Sequence, residues 1–139
     1  MQTININGVE FEAYYNVKAQ MDIAKRCGGL KNLSKWIGEN DEPAEIAAKV
    51  LGVITSLING AVYKHNCEIA FGMKQGDKKE FIDDDVLLCI ADMSKLEEYM
   101  NDMYRVMNDG AEFVVPDDVQ TEERDPDLDF VPSESEKNS

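Results

Sequence analysis

Between Lys49 and Lys64 the chain runs for fourteen residues, Val50 to Tyr63, without a charged side chain. In a sequence where 30% of residues are charged, such a run has to be kept from water. It falls short of the roughly 20 apolar residues that cross a bilayer, so a buried helix is expected. Ile46, Val50, Val53, Ile54, Leu57, Ile58 and Ala61 form one stripe at three- and four-residue steps. Pro43 suits the first turn of this helix, which is expected to run on through Tyr63, Cys67 and Phe71. Gly52 and Gly60 lie eight apart near the stripe. Each costs about 1 kcal/mol relative to alanine in a helix, and the expected return is close approach by another helix.

The strongest local signal lies at the N-terminus. Thr3-Ile-Asn-Ile6 and Val9-Glu-Phe-Glu-Ala-Tyr14 alternate apolar and polar residues on either side of Asn7-Gly8. Asn-Gly tolerates the positive φ angles of a type I′ turn, so a β-hairpin is predicted. Ile4 and Ile6 point one way, with Val9, Phe11 and Ala13 supplying the matching face. Asn16 can cap a helix starting at Val17, with Val17, Met21, Ile23 and Ala24 on its apolar side and Gly28-Gly29 as its stop. A short helix is expected at about Leu30–Ile37. Gly72 to Lys79, with two glycines and four charges, reads as a loop. Asp83-Asp84-Asp85 opens a short helix through Ile90, its negative charge complementing the helix dipole. Ser94-Lys-Leu-Glu97 matches a capping box before a last helix, which Asn108-Asp109-Gly110 is expected to end. On one side that helix carries Met100, Met103 and Met107, with Tyr99 and Tyr104 beside them.

Lys plus Arg number 14 and Asp plus Glu 28, a formal charge of −14. Nucleic acid and anionic membranes are therefore unfavourable partners, since both need clustered cations. Apolar residues at 43% suffice for a packed core. The charge is uneven. Residues 111–139 hold ten acidic and two basic side chains, and three of the four prolines. Such a segment cannot bury enough apolar area to offset its ordering entropy, so disorder is expected from about Asp117 onward. The domain expectation is a helical body with an N-terminal hairpin over 1–110 and an acidic tail over 111–139. Cys27, Cys67 and Cys89 are far apart and odd in number, which suits free thiols in a reducing cytosol, buried as small hydrophobes. MQTININGVEF has no basic region leading into an apolar stretch, so no signal peptide is expected.

No catalytic, cofactor or metal constellation is expected. Three adjacent aspartates diverge from a helix and do not converge on a hard cation. His65 is the one histidine, and Cys67 two residues on falls on a different side of a helix. Gly72-Met-Lys-Gln-Gly76 lacks the Gly-Lys-Ser/Thr of a phosphate loop and follows a helix instead of a strand. Tyr99, Met100, Met103, Tyr104 and Met107 read either as a core stripe or as an adaptable partner-binding groove, because methionines repack easily. With no other chemistry in view, the groove is the functional choice.

The order of features carries a resemblance. An Ile-Asn-Ile-Asn-Gly-Val-Glu-Phe hairpin precedes an amphipathic helix closing at Cys27-Gly28-Gly29. An Ile/Leu-rich central helix follows, with Leu57-Ile58-Asn59-Gly60-Ala61, then more helices and an acidic tail holding Asp125-Pro-Asp-Leu-Asp129. Over most of residues 2–110 this resembles the small tail assembly chaperones of long-tailed phages and prophages of Gram-positive bacteria. The resemblance implies a non-enzymatic protein in the host cell cytoplasm, absent from the mature virion. Its partner would be the tape measure protein, kept soluble while tail tube protein subunits assemble, with homo-oligomers also compatible. An apolar groove on a highly charged body fits that task. The fold expected is mainly α (α+β). Replacing Met103 and Met107 by Asp is then expected to abolish partner binding while the fold survives.

Two competing readings make different demands. A charge-mimic inhibitor of a host nucleic-acid-binding protein would use carboxylates on a folded surface, whereas the excess charge here lies in the tail. A small hydrolase would need His65.

Overall fold

Asn7 and Gly8 both adopt positive φ, 49° and 93°, the requirement of a two-residue type I′ turn. In the computed structural model, which describes residues 1–39 and 42–111, they join strands β1 (Gln2–Ile6) and β2 (Val9–Ala13). The strands pair antiparallel, with Ile6 opposite Val9 and Ile4 opposite Phe11. Ile4, Ile6 and Ala13 are buried, Phe11 is half-buried, and Val9 beside the turn is exposed.

Five α-helices follow among the described residues: α1 (Val17–Cys27), α2 (Leu33–Gly38), α3 (Pro43–Ala70), α4 (Asp84–Ile90) and α5 (Leu96–Ala111). Single 3₁₀ turns precede α2, at Leu30–Asn32, and α5, at Met93–Lys95. The fold is thus mainly α with an N-terminal hairpin, as the sequence leads one to expect. Helix α5 continues one residue past the expected boundary at Gly110, and the expected disorder from Asp117 onward concerns residues outside those described.

Helix α3 is the axis. Its 28 residues pack against α1, α2, α4, α5 and β2. By length and composition alone it could cross a membrane, but 72% of its most apolar window is buried inside the fold. Such a wrapped helix is the core element of a globular body. Ile54, Leu57, Val50 and Val53 are fully buried on it, together with Ile23 from α1, Leu87 from α4 and Val106 from α5.

The two helical glycines set the geometry around that axis. A Cβ on Gly60 would lie 3.0 Å from the Ala19 Cβ of α1, and one on Gly52 would lie 2.7 Å from Arg26 Nη1. Rising numbers on α3 therefore meet falling numbers on α1, so the two helices run antiparallel, with both glycines under α1. This docking turns the Ala19, Ile23 and Cys27 line inward. Val17 and Met21, expected on the apolar side, are rotated out and stand 69% and 53% exposed.

Asn16 fastens the start of α1 twice. Its Oδ1 accepts from the Ala19 amide at 3.0 Å, and its Nδ2 donates to the Gly60 carbonyl at 2.9 Å. The Tyr14 amide donates to the Leu57 carbonyl at 3.0 Å beside it. Asn16→Ala removes the cap and the clip together and is expected to cost about 2 kcal/mol, at the upper end of the range for cap losses. Chemical denaturation against the unmodified chain measures it, and a change in midpoint near zero would contradict the double role.

The start of α5 differs from the expected capping box. Asp92, not Ser94, supplies the cap: its Oδ1 accepts from the Ser94 amide at 3.0 Å and from the Ser94 hydroxyl at 2.9 Å. The backbone bond from Ser94, then its side-chain bond, hold the Asp92 carboxyl below the usual carboxylate range. With its hydroxyl engaged there, Ser94 leads a 3₁₀ turn and the α-helix begins at Leu96.

Candidate functional site

The five residues expected to line a partner groove lie on α5, and the structure turns that strip inward. Met103 is 0% exposed and Tyr99 2%. The Tyr99 hydroxyl accepts from the Asp92 amide at 2.9 Å. Met100, Tyr104 and Met107 are half-buried and packed against the core. The physical reason is the position of α5, which packs on both α3 and β1 and needs an apolar seam to do so. Arg105 and Gln2 hold that seam at its edge: Arg105 donates to the Gln2 side chain and to the Thr3 carbonyl, and Gln2 donates to Asp109. Tyr99 and Met103 are therefore core residues, with Met100, Tyr104 and Met107 half-buried at the edge of the seam.

An open cleft of about 300 Å³, lined by both polar and apolar side chains, lies elsewhere, between α1 and the segment before α4, with α3 as its floor. Its second wall is built by an unusual device. Asn59 and Asn66, seven residues apart on α3, each grip the passing backbone with both ends of the amide. Asn59 Nδ2 donates to the Ile82 carbonyl at 2.8 Å while its Oδ1 accepts from the Ile82 amide at 2.9 Å. Asn66 does the same to Lys79, at 3.0 and 2.8 Å. His65 Nε2 lies 2.8 Å from the Asp77 carbonyl. Residues 77–82 are thus laid antiparallel along α3, which satisfies backbone groups that have no strand partner.

This clamp presents Phe81 at the cleft. Its ring meets Tyr63 of α3 with centroids 4.5 Å apart, tilted by 50°. Met21 of α1 faces them across the floor at Gly60. Met21, Tyr63 and Phe81 stand 53%, 36% and 48% exposed. Lys18 and Lys25 of α1 flank the opening, and the Lys18 ammonium sits 4.4 Å from the Tyr63 ring centroid. Among the described residues, neither lysine has a carboxylate within ion-pair distance.

One end of the cleft is rigidified by a polar network. Arg26 Nη1 and Nη2 each donate to one oxygen of Asp84 at 2.8 Å. Arg26 Nε donates to the buried Ser56 hydroxyl at 2.8 Å, and Ser56 donates onward to Asp22. The Asp84 fork raises the Arg26 guanidinium above its ordinary value, against the opposing effect of burial. The network ties α1, α3 and α4 together over Gly52. It leaves Asp84 engaged with arginine, and no group of three or more His, Cys, Asp or Glu among the described residues is placed to hold a metal ion.

The remaining sequence candidates do not converge. Cys27 is buried, but Cys67 and Cys89 are exposed, contrary to the expectation of three buried thiols. Gly72–Lys79 is an exposed loop with Gly72 and Gly76 at positive φ. Sequence reasoning missed the Met21–Tyr63–Phe81 cleft because Met21 was assigned to the core. The available signal was the pair Asn59 and Asn66: two poor helix formers one heptad apart share a face and needed a partner there. No family model, curated protein or solved structure matches the chain.

Proposed function

We propose that this protein is a tail assembly chaperone of the long-tailed-phage type, acting in the host cytoplasm without chemistry of its own. It holds an apolar helical segment of a tape measure protein, with tail tube protein as the second partner. The observation that carries the reading is the cleft: Met21, Tyr63 and Phe81 stand together in solvent on a chain of net charge −14. Contiguous exposed apolar side chains with a polar rim are the ordinary mark of an interaction site. An amphipathic helix would lay its apolar face on Tyr63 and Phe81, and Met21 would repack to suit successive client sequences. The charged body would keep the pair in solution.

The test is co-purification, and titration, with an apolar helical peptide cut from a tape measure protein. Met21→Ser combined with Phe81→Ser is expected to weaken binding by about tenfold or more, as loss of two apolar anchors does. Met100→Ser on the α5 seam should leave affinity close to that of the unmodified chain. Equal affinity in the cleft variant, with an unchanged melting curve, would refute the site.

A further inference from the structure

We propose that the cleft is occupied in cis by the chain's own acidic tail, through the segment Leu128–Val131, which a client must displace. The statement about the client rests on the function proposed above; the occupancy itself does not.

Three observations converge. The first is charge. Residues 111–139 contain ten acidic and two basic side chains, while Lys18 and Lys25 flank the cleft with no carboxylate within ion-pair distance among the described residues. The second is pattern. In Asp127-Leu128-Asp129-Phe130, an extended backbone puts Leu128 and Phe130 on one face and Asp127 and Asp129 on the other. The apolar face matches Tyr63, Phe81 and Met21, and the acidic face matches Lys18 and Lys25, since the rim carboxylate, Asp22, is engaged by Ser56 and Arg26. The third is reach. Leu128 lies seventeen residues beyond Ala111, where α5 ends, a span of up to about 55 Å when extended. A body of this size is only about 35 Å across, so the segment reaches any point on it.

Tethering makes weak complementarity sufficient. A linked segment works at an effective concentration in the millimolar range, so an intrinsic affinity near millimolar fills the cleft about half the time. Such occupancy would cover Met21 and Phe81 when no client is present, and a higher-affinity client helix would still displace it. Salt screening would loosen it, since the lysines lie at the surface.

The experiment uses the full chain. Leu128→Ser combined with Phe130→Ser is compared with the unmodified protein by amide correlation spectra. The resonances of Met21, Lys25, Tyr63 and Phe81 are expected to shift, and added salt should move the unmodified chain toward the same positions. A peptide spanning Thr121–Ser139 should then bind the double variant about twofold more tightly than the unmodified chain, whose cleft is filled about half the time. Unmoved cleft resonances, shifts confined to another face, or equal peptide affinities would each overturn the proposal. Because no client enters this measurement, its failure leaves the chaperone assay untouched, and failure of that assay leaves this result standing.

Discussion

Gly60→Ala is expected to destabilise the protein by about 2–3 kcal/mol despite alanine being the better helix former. The added Cβ would lie 2.4 Å from the Tyr14 carbonyl oxygen, 2.9 Å from Asn16 Oδ1 and 3.0 Å from the Ala19 Cβ. The first of these is backbone and cannot swing away. To make room, the Tyr14–Asn16 crossing must lift off α3, which weakens the Tyr14–Leu57 and Asn16–Gly60 bonds and the cap of α1. Gly52→Ala supplies the contrast within one helix. Its Cβ meets side-chain atoms alone, Arg26 Nη1 at 2.7 Å and Asp84 Oδ2 at 3.6 Å, so the guanidinium can shift without backbone movement, at the expense of its Asp84 and Ser56 bonds. That loss is partly offset by about 1 kcal/mol of helix propensity, so the net cost should be clearly smaller than that of Gly60→Ala. Urea denaturation of both variants decides the matter. If Gly60→Ala is as well tolerated as Gly52→Ala, the close docking of α1 on α3 is wrong.

Met103→Asp should destabilise the fold by about 4–5 kcal/mol, enough to unfold a domain of ordinary marginal stability. The side chain is 0% exposed among α5, α3 and the hairpin. A carboxylate there must either stay ionised in an apolar medium or take up a proton at the expense of stability, and the packed thioether is lost as well. Such changes reach about 4–5 kcal/mol, from a third to nearly all of the 5–15 kcal/mol that holds a typical domain together. The substitution therefore cannot report on partner binding, contrary to the expectation that the fold would survive it. Met103→Leu, which conserves volume, should cost under about 1.5 kcal/mol. Met21→Asp, at a side chain 53% exposed, should leave the melting temperature within a few degrees of the unmodified value. A folded Met103→Asp variant with an ordinary circular dichroism spectrum would show that the strip is not core.

The difference between these two methionines explains what could be read from the sequence. Periodicity shows that a helix has an apolar side, and it found α1, α3 and α5. It does not show which neighbour covers that side. On α5 the strip faces β1 and α3 because it belongs to the last described helix, which closes the core. On α1 the rotation is set by Gly60 and Asn16, contacts separated by 44 residues, so no local pattern around Val17 or Met21 could reveal that both face outward. The hairpin was legible because Asn7-Gly8 is a local, backbone-determined signal. The Asn59 and Asn66 pair signalled that something lies along that face of α3 but not what, since their partners are carbonyls and amides in a segment with no regular structure. Phe81 gained its role through that segment.

Selective labelling of the methionine methyl groups offers the most direct test, because the seven methionines include Met21 at the cleft and Met103 in the core. On titration with an apolar helix cut from a tape measure protein, the Met21 methyl resonance should move first and furthest, with Met103 unmoved. A Met21 signal that stays in place while Met100 or Met107 shifts would put the binding surface on α5 and contradict the cleft.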